Sequence, residues 1–158
     1  GVLPNNVGGY YNWGDASGKN IDGEANPYDL PIQMKSIAGS SLDIAAMNWG
    51  RGWRMPTSEE FQELIDKCSW KMVNKRGEVP GYRVTGPSGK SIFLPFAGYR
   101  RGPAFFKQGV VGCYWSASPY TEARQSAAYF LEMDGDVVSV SRGDFASTGY
   151  SVRPVLDK

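Results

Sequence analysis

The stretch Gly52-Trp53-Arg54-Met55-Pro56-Thr57-Ser58-Glu59-Glu60-Phe61-Gln62-Glu63-Leu64 constrains the fold of this chain more than any other. Thr57 is placed to cap the first turn of a helix, and Glu60, three residues on, can reach back to the amide of the capping residue. Phe61, Leu64, Ile65 and Cys68 follow at i, i+3, i+4 and i+7, which is one face of a helix. Burying the three large side chains of that stripe contributes about 1.5–3 kcal/mol each. The spacing predicts a helix over 57–68 whose apolar face must lie on a second layer.

The 158 residues suit a single domain over 1–158, a length that buries about 70% of the unfolded surface. Aromatics at 13%, with 20 Gly and 10 Pro, favour short strands and structured loops over a helical bundle. The chain has no histidine, which removes the commonest general base, imidazole metal ligands and every Ser-His or Cys-His nucleophile pair. Seventeen basic residues against sixteen acidic ones, with no basic run longer than Arg100-Arg101, lack the footprint of a nucleic-acid binder. No apolar stretch approaches the ~20 residues of a membrane span. The chain begins without the charged and apolar regions of a signal peptide, and Gly1 could be left from tag removal, so its start says little about location.

Around the central helix the pattern is of short pieces. Gly8 to Gly14 reads as a short strand entering a turn, and Asp15 to Pro31 as a long surface loop. Ser40 or Ser41 is expected to cap a first short helix with Asp43 in its first turn, a face of Leu42, Ala45, Ala46 and Trp49, and a stop at Gly50. Tyr82–Thr85 and Ser91–Leu94 flank the four-residue turn Gly86-Pro87-Ser88-Gly89 as a hairpin. Phe96 to Gly112 reads as a loop excursion, and Tyr114 to Ser118 as a strand halted by Pro119. Ala127–Glu132 and Val137–Ser141 form a second hairpin, and Tyr150 to Val155 a last strand at a sheet edge or end because of Pro154. Helices early and strands late make the chain α+β. Cys68 and Cys113 read as small buried hydrophobes, with a disulfide between them as the alternative if the domain lies outside the cytoplasm.

Several phrases together resemble one family. These are Gly52-Trp53-Arg54-Met55-Pro56-Thr57 with Glu60, Leu64, Ile65 and Cys68, then Gly81 to Pro87, Ile92 to Pro95 and Ala97 to Arg100. Tyr114-Trp115-Ser116-Ala117-Ser118 and Gly149 to Val155 complete the set. Over residues 8–156 the chain resembles the Fibrobacter succinogenes major paralogous domain of Bacteroidetes surface proteins and lipoproteins. The resemblance implies a C-type-lectin-like fold, of the branch shared with formylglycine-generating enzymes and retroelement variable proteins. Two helices would pack on a small twisted antiparallel sheet with long loops, the termini near each other. It also implies export to the cell surface or periplasm, no cofactor and no enzymatic activity. Formylglycine-type chemistry needs paired thiols, whereas Cys68 and Cys113 are far apart in sequence.

Candidate sites divide accordingly. Asp134 and Asp136 could offer oxygen ligands to calcium but read better as turn residues, and the loop motifs of calcium-dependent lectins are missing. Arg54 and Arg153 are expected to brace strand ends against carboxylates such as Glu60 or against carbonyls, and Trp49, Trp53, Trp70 and Trp115 to belong mostly to the core. The segment from Pro119 to Thr148 carries the candidate ligand surface: Tyr120, Thr121, Glu122, Arg124 and Gln125, then Ser139, Ser141, Arg142, Asp144 and Phe145. An exposed Tyr, Arg and Phe together have the chemistry of a binding patch, and retroelement-diversified relatives vary the corresponding residues. The expectation is a non-enzymatic recognition or adhesion module presenting loops 119–126 and 141–148 to a protein or glycan. A structural or assembly domain of a surface filament or lipoprotein, and a calcium-dependent lectin, are the alternatives.

Overall fold

The computed structural model describes residues 8–19, 35–120, 127–144 and 148–157. Most of the expected loop over 15–31 lies outside them. Helix α1 (Ile44–Trp49) is capped by Asp43 itself, not by Ser40 or Ser41. Ser40 Oγ instead donates to the carbonyl of Ile37 and accepts from Leu42 N. The Asp43 carboxyl is fully buried and accepts from Gly39 N (2.8 Å), Ala46 N (3.0 Å) and, through both oxygens, Met55 N (3.0 and 3.2 Å). One side chain therefore joins the loop before α1, its first turn and the link after it. The buried face of α1 is Ile44 and Ala45, while Trp49 is 46% exposed, and Gly50 ends the helix at a positive φ.

Strand β1 (Trp53–Arg54) leads into helix α2 (Ser58–Lys67), which starts as its sequence predicts. Thr57 Oγ1 accepts from Glu60 N, and the Glu60 carboxyl accepts from Thr57 N at 3.0 Å. Phe61 is buried, with Leu64, Ile65 and Cys68 packed beside it. Directly after α2 comes a strand the sequence reading did not foresee, β2 (Ser69–Val73), pinned by Trp70 Nε1 donating to the Leu64 carbonyl. The expected hairpin follows as β3 (Gly81–Thr85) and β4 (Ser91–Pro95), with Thr85 opposite Ser91, so the connection is 86–90 and includes Lys90. The three strands pair in the order β2-β3-β4.

The segment expected as a loop excursion contains a further hairpin, β5 (Tyr99–Arg101) and β6 (Ala104–Phe106), with Tyr99 stacked on Phe106. Strand β7 (Gly112–Tyr120) runs through Pro119 instead of halting there. The register with its neighbour breaks between Trp115 and Pro119, and a proline without an N–H is tolerated on this edge strand beside the bulge. The second expected hairpin, β8 (Ala127–Met133) and β9 (Val138–Asp144), completes the sheet β7-β8-β9.

The expected last strand is divided among several partners. Strand β10 (Thr148–Gly149) pairs with β5, Tyr150 bridges Tyr11, Ser151 bridges Tyr114, and β11 (Val155–Leu156) pairs with β1. The expected strand over 8–14 is reduced to that bridge at Tyr11. With two helices and small antiparallel sheets among the described residues, the chain is α+β.

The β7-β8-β9 sheet is covered on both faces. Cross-strand partners Trp115 and Phe130, with Cys113 and Ala128, pack on Trp13, Ile37, Ile44, Ala45 and Met55. Tyr114, Leu131 and Met133 face the other way, against Phe61 of α2 and Tyr82, Val84, Leu94 and Phe96. Cys113 belongs to the first cluster and Cys68 to the edge of the second, so the sheet separates the two thiols and both are free. The core tryptophans are Trp13 and Trp115, whose indoles donate to the carbonyls of Ser116 and Tyr11; Trp53 and Trp70 are only half-buried and Trp49 is exposed.

Arg54 braces as expected. Its guanidinium meets both Glu60 oxygens at 2.6 and 2.9 Å, and its Nε donates to Asp157 at 2.7 Å, tying β1, the first turn of α2 and the C-terminal segment. Arg153 does not: it is exposed and makes no hydrogen bond or ion pair among the described residues.

Removing the Asp43 carboxyl strands the buried Met55 amide and the first turn of α1. A lost cap costs about 1 kcal/mol and an unpaired buried donor about 1–3 more. Asp43→Ala is expected to lower urea-unfolding stability by about 2–4 kcal/mol, with Asp43→Asn recovering about half because it keeps one acceptor oxygen; a loss under about 1 kcal/mol would contradict the role. For Glu60, hydrogen bonding to Arg54 outweighs burial and, with the Thr57 amide, holds the carboxyl down from 4.5 to about 2. A depressed folded pKa stabilises fully above the unfolded value and is lost as pH falls through the folded one. Thermal midpoints should show wild type above Glu60→Gln at pH 7, with the gap closing between pH 4.5 and about 2; a gap independent of pH would show that the carboxylate is not its source.

Candidate functional site

Three strand ends define one end of the central sheet. Tyr120 closes β7 opposite Ala127, which opens β8 and also faces Asp144, the last residue of β9. The strand ends flanking 121–126 and 145–147 therefore stand side by side.

Alternation along the strands decides what is presented there. Tyr129 lies opposite Arg142, on the face that also carries Ala127 and Leu131. Tyr120 joins this face because its partner is Ala127. The Arg142 guanidinium sits 4.6 Å from the centroid of the Tyr120 ring and donates to its hydroxyl. The Tyr120 ring in turn meets Tyr129 edge-to-face, 5.6 Å between centroids. Arg142 is exposed and the two tyrosines are half-buried, so a cation and parts of two rings reach solvent from strand positions. A guanidinium held over a ring offers stacking and a planar, bidentate hydrogen-bond donor.

The other expected site residues fall elsewhere. Ser139 and Ser141 are two residues apart, with their hydroxyls 3.2 Å from each other, on the opposite face with Phe130 and Glu132. They do not share a surface with Arg142. Asp144 lies at the right end of the sheet by register. Thr121, Glu122, Arg124, Gln125 and Phe145 lie outside the described residues. Thr148 is buried in β10. Tyr129 was missed by the sequence reading, although the two-residue period of β8 and β9 carries the signal that pairs it with Arg142.

A second polar constellation was also missed. Buried Arg100 donates to Asn12 Oδ1 at 2.8 Å and to the Gly102 carbonyl at 3.0 Å, with Asp15 supplying opposite charge. A side chain at Gly149 would meet the Arg100 guanidinium at 2.7 Å, which accounts for the glycine in β10. Asn12 and Asp15 are both buried, and the cluster fastens the N-terminal segment to β5. Its role is architectural.

Burial pushes the Cys113 thiol up to about 12 and raises the Tyr114 and Tyr150 hydroxyls as well. The Asp136 and Val137 amides, both donating to Asp134 Oδ1 at 2.8 Å, hold that carboxyl below its usual range and make it a turn residue. No carboxyl or thiol with a resolved shift is moved toward neutral pH. Among the described residues no group of three or more Cys, Asp or Glu side chains is placed to hold a metal ion.

Compared with protein-family models, with curated proteins and with solved structures, the chain matches none.

Proposed function

We propose that this chain is a non-enzymatic recognition or adhesion module, exported to the cell surface or periplasm, that presents one end of its central sheet to a protein or glycan. The observation that carries this reading is the Tyr120–Arg142 stack with Tyr129 behind it, at the junction of three strand ends. Aromatic and arginine side chains held in fixed rotamers lose little entropy on binding, and they dominate the energetics of interfaces. The sheet behind them is covered on both faces, so the platform is pre-ordered. On this reading the framework is C-type-lectin-like, with α1 and α2 on opposite faces of the antiparallel β7-β8-β9 sheet. The pairing of Tyr11 with Tyr150, and of β1 with β11, suits a fold whose two ends meet.

A second reading, an assembly domain of a surface filament or lipoprotein, has its own observation. Phe105 is 64% exposed and Phe106 43% exposed on β6, at the edge of its sheet. An edge strand with exposed aromatics is a surface on which another chain can pair.

Two sets of variants separate the readings. Binders are first identified on glycan and surface-protein arrays. Tyr120→Ala with Arg142→Ala is then expected to weaken the strongest of them at least about tenfold, at a loss of about 1–2 kcal/mol in stability from the two ring contacts, which leaves the fold intact. Unchanged binding would remove the site. Phe105→Ser with Phe106→Ser should leave that binding intact on the recognition reading; loss of self-association in sedimentation, without any array binder, would favour assembly.

A further inference from the structure

On the face of the central sheet covered by α2, a groove of about 370 Å3 opens between that helix and the β3–β4 hairpin. Its walls are apolar: Phe61, Leu64 and Cys68 from α2, Ile92 and Leu94 from β4, and Val155 from β11. The volume lies at the lower end of the ~300–1,000 Å3 typical of small-molecule sites, which are mostly apolar with a few placed polar groups. Nothing in the Tyr120–Arg142 surface contributes to it.

The charges lining the groove are nearly all committed. Glu60 is held bidentately by Arg54 and by the Thr57 amide. Glu63 pairs with Lys67 at 3.0 Å, one turn apart on α2. Arg153 alone makes no ion pair or hydrogen bond among the described residues, and it lines the same groove beside Val155. An apolar trough is therefore lined by a single uncommitted cation. Its complement is an apolar body carrying one negative charge, and a planar carboxylate matches a guanidinium bidentately. An extended peptide fits less well, because each residue brings an amide donor and acceptor and the groove's remaining polar side chains are already paired.

We propose that this groove binds a small amphipathic carboxylate, an unbranched alkanoate, with its chain along Phe61, Leu64 and Ile92 and its head on Arg153. The half-buried Cys68 thiol reports on occupancy, because it lines the groove while the second thiol, Cys113, is buried behind the sheet and pushed up to about 12.

The test uses decanoate below its micelle concentration, with decanol and a short apolar peptide bearing a free C-terminus as comparisons. Calorimetry gives affinity, and mass spectrometry follows iodoacetamide alkylation of each cysteine. Decanoate is expected to saturate one site and to slow alkylation of Cys68, with Cys113 unreactive throughout as a check on folding. Decanol should bind about three- to fivefold more weakly, the worth of one partly solvated ion pair. Arg153→Met should erase that difference without shifting the thermal midpoint. Ile92→Trp should block both ligands; if it does not fold, Cys68→Met fills the same space and is read by calorimetry alone. The proposal is overturned by the absence of saturable binding, by decanoate affinity indifferent to Arg153→Met, or by tighter binding of the peptide than of decanoate. Because neither Tyr120 nor Arg142 takes part, the outcome is independent of recognition at the sheet end.

Discussion

The structure depends on strand β7 being used from every side. Residues 112–118 are all buried. Side chains alternate into two hydrophobic clusters, while the backbone edge away from β8 serves segments distant in sequence. Trp115 N donates to the Ser151 carbonyl, Ser151 N to the Cys113 carbonyl, Ala117 N to the Pro56 carbonyl and Ile37 N to the Ala117 carbonyl. Trp13 Nε1 reaches the Ser116 carbonyl, and Ser118 Oγ accepts from the first amide of α2. A buried strand with an unpaired edge would strand donors and acceptors at a cost of several kcal/mol in total. Here the N-terminal segment, both helical regions and the C-terminal tail each satisfy part of that edge. The register breaks between Trp115 and Pro119, so Ala117 has no partner in the β8 ladder, and its amide and carbonyl, in phase with Cys113 and Trp115, meet Pro56 and Ile37.

Asp43 plays the corresponding part among side chains. It is a buried polar group whose cost is offset only because every acceptor position is used, and it fixes where Met55, and hence β1 and α2, stand relative to α1. The Arg54 brace extends the same link to Asp157. Position is thus passed from α1 through Met55 and Arg54 to the first turn of α2, whose packing face closes the second core. The groove beside α2 is lined by Glu60, the last member of this chain of contacts.

What could be read in the sequence was local. The Thr57–Glu60 box, the apolar stripe of α2 and both hairpins rest on residues a few positions apart, and they appear as expected apart from their ends. What escaped was non-local. Asp43 looks like a first-turn acid until Met55, twelve residues on, is seen to donate to it. Pro119 ends a strand on propensity alone and does not when a bulge absorbs it. Tyr150 to Val155 alternates like one strand, yet Tyr11, Tyr114 and β1 share it out. Trp13 sits in a Gly/Asn-rich phrase that reads as a short strand entering a turn, and only its burial against β7 reveals a core residue. At the site, the sequence reading ended the strand at Ser141 and put Arg142 in a loop; only the continuation of β9 to Asp144 sets Arg142 on the face opposite Ser139 and Ser141. The groove was not, since its walls come from α2, β4 and β11 and no spacing in the sequence brings them together.

Native-state hydrogen exchange tests the central claim most directly, because it reads each backbone hydrogen bond against the global stability. If β7 is the member on which all other segments close, the amides of Trp115 and Ala117 exchange only through global unfolding, with Leu131 of β8, paired to Tyr114, close behind. Sub-global exchange at Trp115 and Ala117, faster than in the β3–β4 hairpin, would contradict the account.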